Sequence, residues 1–173
     1  MFAVNRSTVV LISALFVLPA SSAAAQGIER LGEFGDWGAF AFMDDGGKVC
    51  FIASSPKQAK GDYTQRGEIF VRVTHWPEQG RRDEVSVVAG YDYKEDSWVE
   101  VSIENGTFNL FTADDTAWAA EKETDRDLVE AMIRGSRMVV KGTSSRGTLT
   151  TDTYSLAGFT SAYETINQAC GVQ

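Results

Sequence analysis

The chain has 173 residues, with 16 Lys and Arg against 24 Asp and Glu, a formal charge of −8. That balance repels nucleic acid and anionic lipid and suits a soluble, acidic surface. One histidine and two cysteines leave little material for metal or nucleophilic chemistry.

Residues 1–25 read as an export signal. Arg6 supplies a positive start, and Thr8 to Leu18 is an apolar run too short to span a bilayer. Pro19 breaks it, and Ala23-Ala24-Ala25 is a small-residue cleavage pattern, which puts the cut after Ala25. The alternative is an uncleaved anchor. The mature chain, 26–173, has 148 residues; it loses Arg6 and stands at −9. It reads as one β-rich domain with no membrane-spanning stretch.

Phe34 to Met43 is expected as a first strand. Asp44-Asp45-Gly46-Gly47 is a hairpin turn, and Lys48 to Ser54 is the returning strand, carrying Cys50. Ser54 to Gly67 is polar, broken by Pro56 and Gly61, and reads as a surface loop. Glu68 to His75 alternates, with Val71 and Val73 on one face and Arg72 and Thr74 on the other. Glu84 to Tyr91 and Ser97 to Ile103 are further strands. Asn105-Gly106 marks a hairpin to the strand of Phe108, Leu110 and Thr112. Asn105-Gly106-Thr107 is also a glycosylation sequon, read as a turn first.

Ala113 to Thr124 is expected as a loop in which Trp118 plugs the core, with a ligand platform as the alternative. Thr124 is placed as an N-cap, followed by a helix with Leu128, Val129, Met132 and Ile133 inward and Gly135 at its end. Arg137 to Lys141 and Thr148 to Leu156 are strands joined by Thr143-Ser144-Ser145-Arg146-Gly147. Ser161 is expected to cap a last helix whose Ala162, Ile166 and Cys170 share a face. The fold class is mainly β: a single-domain antiparallel sandwich or squashed barrel with two short helices. Export leaves Cys50 and Cys170 one pairing, with two free thiols as the alternative.

No catalytic, metal or cofactor constellation emerges. His75 is the lone histidine, is expected at a strand end or surface, and lacks a Gly-x-Ser-x-Gly elbow. Asp92, Glu95 and Asp96 lack calcium-loop spacing. No spacing singles out a glycosidase carboxylate pair, and no phosphate loop is present. The distinctive stretch is Thr143 to Thr153, with seven hydroxyls, Arg146 and Asp152. Alternation groups Thr148, Thr150, Asp152, Tyr154 and Leu156 on one face. That face is either a polar patch receiving a ligand or a strand rich in Thr for its β-propensity. Ser145, Arg146, Gly147, Asp152, Tyr154 and Trp118 are the signature residues. Arg146 either pins the turn, with Asp152 its first partner, or projects to an anionic partner.

Several runs occur together: Trp37, Ser54-Ser55-Pro56 after Cys50, Thr74-His75-Trp76-Pro77, Ala117-Trp118-Ala119, and Lys141 to Phe159 with a closing Ala169-Cys170. In these the chain resembles the invasion-associated locus B family of α-proteobacteria, over nearly all of the mature region. The resemblance implies an exported envelope protein, periplasmic, outer-membrane-associated or secreted. It implies a non-enzymatic role with an unidentified protein or envelope partner, and host interaction among its uses. The better-known members carry additional cysteines, so this chain looks like a divergent branch. The alternative is a periplasmic enzyme or small-ligand binder using the 148–156 face.

Overall fold

The computed structural model describes residues 27–172; the expected signal segment lies outside them. Eleven strands form one sheet: β1 (Glu29–Phe34), β2 (Trp37–Asp44), β3 (Gly47–Ser54), β4 (Gln58–Gly61), β5 (Phe70–Trp76), β6 (Arg81–Val88), β7 (Trp98–Ile103), β8 (Gly106–Ala113), β9 (Thr116–Trp118), β10 (Arg137–Thr143) and β11 (Leu149–Ser155). Their order is β1-β2-β3-β5-β6-β9-β8-β7-β10-β11-β4, and every pairing is antiparallel. The sheet is not closed, yet its two ends approach each other. Asp36 N–H donates to Ala157 O at 3.0 Å, and the Trp37 indole N–H donates to Ser155 O at 3.0 Å.

Period-two alternation explains the core. Ala39 and Ala41, Val71 and Val73, Val85 and Val87, Val99 and Val101, and Met138 and Val140 all face inward and are buried. Two helices cover that inner face. In α1 (Lys122–Arg134), Leu128, Val129 and Met132 are buried against β6 and β8. In α2 (Phe159–Cys170), Phe159, Ala162, Tyr163 and Ile166 are buried against β1, β2 and β3.

Several boundaries differ from the reading of the sequence. The start of α1 lies at Lys122 with Glu121 as N-cap, ahead of Thr124, and that cap makes no side-chain bond. Ile133 is exposed rather than inward. The second helix starts at Phe159, before Ser161. Its N-cap Gly158 has φ 89°, and the Phe34 carbonyl lies where a Cβ would go. Glycine there serves both the left-handed conformation and the approach of the two sheet ends. β1, β4 and β9 are strands beyond those expected; β4 lies within the expected 54–67 surface loop and β9 within the expected 113–124 loop. The β7–β8 turn falls on Glu104-Asn105, one residue early, with Glu104 at φ 48°. Trp118 does not plug the core. It ends β9 half-buried on the outer face, and its neighbour Ala117 points inward.

Candidate functional site

The 143–147 connection is a tight turn built on itself. Ser144 N–H donates to Thr148 O at 2.9 Å, Thr148 N–H donates to Ser144 Oγ at 3.1 Å, and Gly147 sits at φ 85°. The neighbouring loop pins it, with Ser145 N–H donating to Asp92 O at 2.8 Å and Lys94 N–H to Thr143 O at 2.9 Å. Ser145, Arg146 and Gly147 are exposed at its tip.

Beside this turn opens a cleft of about 640 Å³. Residues 62–67 form one wall, the 144–148 turn the other, and Tyr91 and Thr150 the floor. Arg66 runs beneath. Its Nη1 and Nη2 donate to Asp152 Oδ1 and Oδ2 at 2.7 and 2.6 Å, and its Nε donates to Ala89 O at 2.6 Å. Both side chains are only 3% exposed. The guanidinium also lies over the rings of Tyr91 at 4.9 Å and Tyr63 at 5.5 Å, two cation–π contacts. Burial works against the charge on Arg66, but the Asp152 carboxylate outweighs it and holds its pKa above the usual arginine value. The Thr150 hydroxyl donates to Gly142 O at 3.4 Å and is 2.6 Å from the Tyr91 hydroxyl. Burial raises the pKa of Tyr91 and of the adjacent Tyr93. Gly142 leaves room for both rings, since a Cβ there would meet Tyr93 at 2.6 Å.

The partner expected for Asp152 was Arg146; the structure assigns Arg66. Asp152 and Tyr154 lie on the inward face of β11, while Arg146 stands at an exposed turn and makes no ion pair or hydrogen bond among the described residues. Asp152 and Tyr154 do not line the cleft; of their face, Thr148 and Thr150 do. Burial raises the Tyr154 pKa, and its hydroxyl has no hydrogen-bond partner among the described residues. Arg66 was passed over because it sits in a polar segment with no periodicity, and its partner is 86 residues away.

His75 is not at the surface; it is fully buried. A bulge in β6 sets Arg82 and Asp83 opposite it, with Asp83 at φ 62°. Asp83 N–H donates to His75 Nδ1 at 3.1 Å, so Nε2 carries the proton and donates to Asn167 Oδ1 at 2.8 Å. Tyr163 donates to Asp83 Oδ1 at 2.5 Å, tying α2 to the same point. Burial is the main cause that lowers the His75 pKa, against the raising influence of Asp83 and Asn167. Both ring nitrogens are occupied, so this histidine holds α2 to the sheet.

Nearby, burial pushes Asp125 up to about 6, although it accepts Val85 N–H at 2.9 Å. The two groups act on stability with opposite signs. His75 protonates more readily unfolded, so stability falls as pH drops below about 6.5. Asp125 protonates more readily folded, which offsets part of that loss between pH 6 and 4. Chemical denaturation from pH 7 to 4.5 is expected to show a steeper loss in Asp125→Asn than in the parent. Parallel curves would refute the assignment.

Cys50 and Cys170 are bonded, with Cα atoms 6.0 Å apart. No group of three or more His, Cys, Asp or Glu side chains suited to a metal occurs among the described residues. No helix among them is long and apolar enough to cross a membrane.

No curated protein and no solved structure matches the chain. The model of the family described as Invasion associated locus B (IalB) protein matches residues 37–167. That span runs from the indole that joins the two sheet ends to the asparagine that accepts the His75 Nε2–H hydrogen bond, and the chain belongs to this family.

Proposed function

We propose that this protein works outside the cytoplasm as a non-enzymatic binding protein of the cell envelope, and that it meets a protein partner at the cleft rim. The observation that carries the reading is the saturated Arg66–Asp152 pair under an unengaged Arg146. The charges below are spent on each other, so the floor offers no free acid or base. At the turn, which is held from both sides, the groups free to recognise a partner are the exposed Ser145 and Arg146; the exposed Asp62 and Asp92 line the same cleft. A structurally fixed turn presents its guanidinium with little ordering cost, which favours binding. The disulfide supports an oxidising compartment. Family membership supports an envelope-associated, invasion-related role, and host contact is the finer form of this proposal.

A small-ligand role draws on the same cleft, whose volume falls in the range of small-molecule sites. The two readings part on what the rim recovers.

Arg146→Ala is expected to melt within about 1 °C of the parent, as an exposed side chain away from structural contacts should. The same substitution is expected to reduce recovery of a protein partner when the 26–173 chain is used as bait in native envelope extracts. A lowered melting temperature with unchanged recovery would return Arg146 to a structural role. A partner recovered equally by both chains would move recognition off the rim.

A further inference from the structure

The outer face of the sheet carries a row of residues that the cleft does not use. Register places Arg72, Ser86, Trp118, Phe111 and Trp98 directly opposite one another across β5, β6, β9, β8 and β7. Directly opposed residues of antiparallel strands share a face. Trp98 is 61% exposed and Phe111 38% exposed, and Trp118 is half-buried beside them. Strand spacing sets neighbouring side chains about 5 Å apart, so the two indoles stand about 10 Å apart with a phenyl ring between them. A soluble monomer seldom leaves such a strip uncovered without a use for it.

The far end of the row is cationic. Arg72 lies 6.0 Å over the ring of Phe51 and has no carboxylate partner among the described residues. Its Nε and the Ser86 hydroxyl are buried without hydrogen-bond partners. Of the acids two positions along the chain from this row, Glu84 is engaged with Arg81 and Glu100 with Lys141, while the exposed Asp96 beside Trp98 makes no ion pair among the described residues. The strip is therefore apolar with a cation at its β5 end, on a protein whose net charge is −9 in its mature form.

We propose that this outer face is a second binding site, for an extended β-1,4-linked pyranose chain that carries isolated carboxylates. In such a ribbon each sugar presents a flat apolar face of C–H bonds, which stacks on exposed aromatic rings. One disaccharide repeat is about as long as the two-strand step between Trp98 and Trp118. A carboxylate two strands further on meets the outer end of the half-buried Arg72 guanidinium, whose Nη atoms make no hydrogen bond among the described residues. The net charge disfavours a bilayer or polymer that carries an anion on every unit, because long-range repulsion grows with each charge. A single carboxylate on a neutral ribbon escapes that repulsion and keeps the local pairing.

The probes are cellohexaose and cellohexaonate, the latter bearing one terminal carboxylate, titrated against the full 26–173 chain by calorimetry and Trp fluorescence. Both are expected to bind, cellohexaonate more tightly. Trp98→Ala and Phe111→Ala should each loosen both by about tenfold, the scale of one lost aromatic stack. Arg72→Gln should erase the preference for the acid while leaving cellohexaose binding in place, which separates charge recognition from misfolding. Ile133→Ala, an exposed apolar residue on α1, should change nothing. Failure of the parent to bind either oligomer overturns the proposal, as does unchanged affinity in the two aromatic variants. Self-association that disappears in Trp98→Ala, without glycan binding, would reassign the face to a second copy of the chain.

Discussion

Asp152→Ala should be among the most damaging single substitutions outside the cysteines, costing about 3 to 5 kcal/mol by leaving the Arg66 guanidinium buried and unpaired. For a domain of this size that corresponds to a melting temperature lower by roughly 10 °C. The reason lies in the register. Asp152 faces inward between Thr150 and Tyr154, and all three are almost fully buried. Its carboxylate is matched by two parallel guanidinium bonds, and the third donor of Arg66 is taken by Ala89 O. Removing the carboxylate leaves the charge buried with only the two tyrosine rings and one carbonyl as partners. Arg66→Met with Asp152→Leu removes both charges and should recover most of the loss, because the desolvation of an ion pair nearly cancels its attraction. Differential scanning calorimetry of the two single variants and the double variant checks this. An Asp152→Ala protein that melts within 2 °C of the parent, or a double variant as unstable as the single ones, would show that the pair carries little energy.

Much of this fold can be read from residue order alone. Val99, Val101 and Ile103 alternate with polar residues, so β7 and its inward face are plain, and the same holds for β5 and for the buried half of β11. The elements that escaped notice share a cause. β4 is Gln-Ala-Lys-Gly, an edge strand with every residue exposed, so nothing in it alternates. It exists because β11 offers a free edge, and that is a non-local fact. The α1 start is displaced because Glu121 caps it without a side-chain bond, whereas Thr124 has the chemistry of a cap and sits inside the helix. Arg66 and His75 become legible only through partners 86 and 92 residues away. The rim of the cleft, Ser145 and Arg146, stood out by composition. Its floor and the Arg66 beneath it did not, because Arg66, Tyr91 and Thr150 come from three separate segments.

Replacing Cys50 and Cys170 by alanine should cost about 4 to 5 kcal/mol, the scale expected when a bridge stops closing a loop of more than a hundred residues. The bond spans 120 positions and joins a fully buried site on β3 to the last residue of α2. Cys50 pairs across the ladder with His75, and Asn167, which accepts the His75 Nε2–H hydrogen bond, lies one helical turn before Cys170. The bridge and the histidine therefore hold the same end of α2. Without the bridge that end keeps the His75–Asn167 and Tyr163–Asp83 bonds, and the buried Phe159, Ala162 and Ile166 still cover the sheet. The double-alanine variant should thus remain folded at room temperature, with near-parental circular dichroism and an earlier, still cooperative, urea transition. Mass mapping of a non-reduced digest of the parent should recover the two cysteine peptides joined. Dithiothreitol should shift the parent's midpoint to that of the variant, because in both cases the loss comes from the freed unfolded chain. A parent whose midpoint is indifferent to reductant, with the bond shown to be broken, would mean that packing alone secures α2.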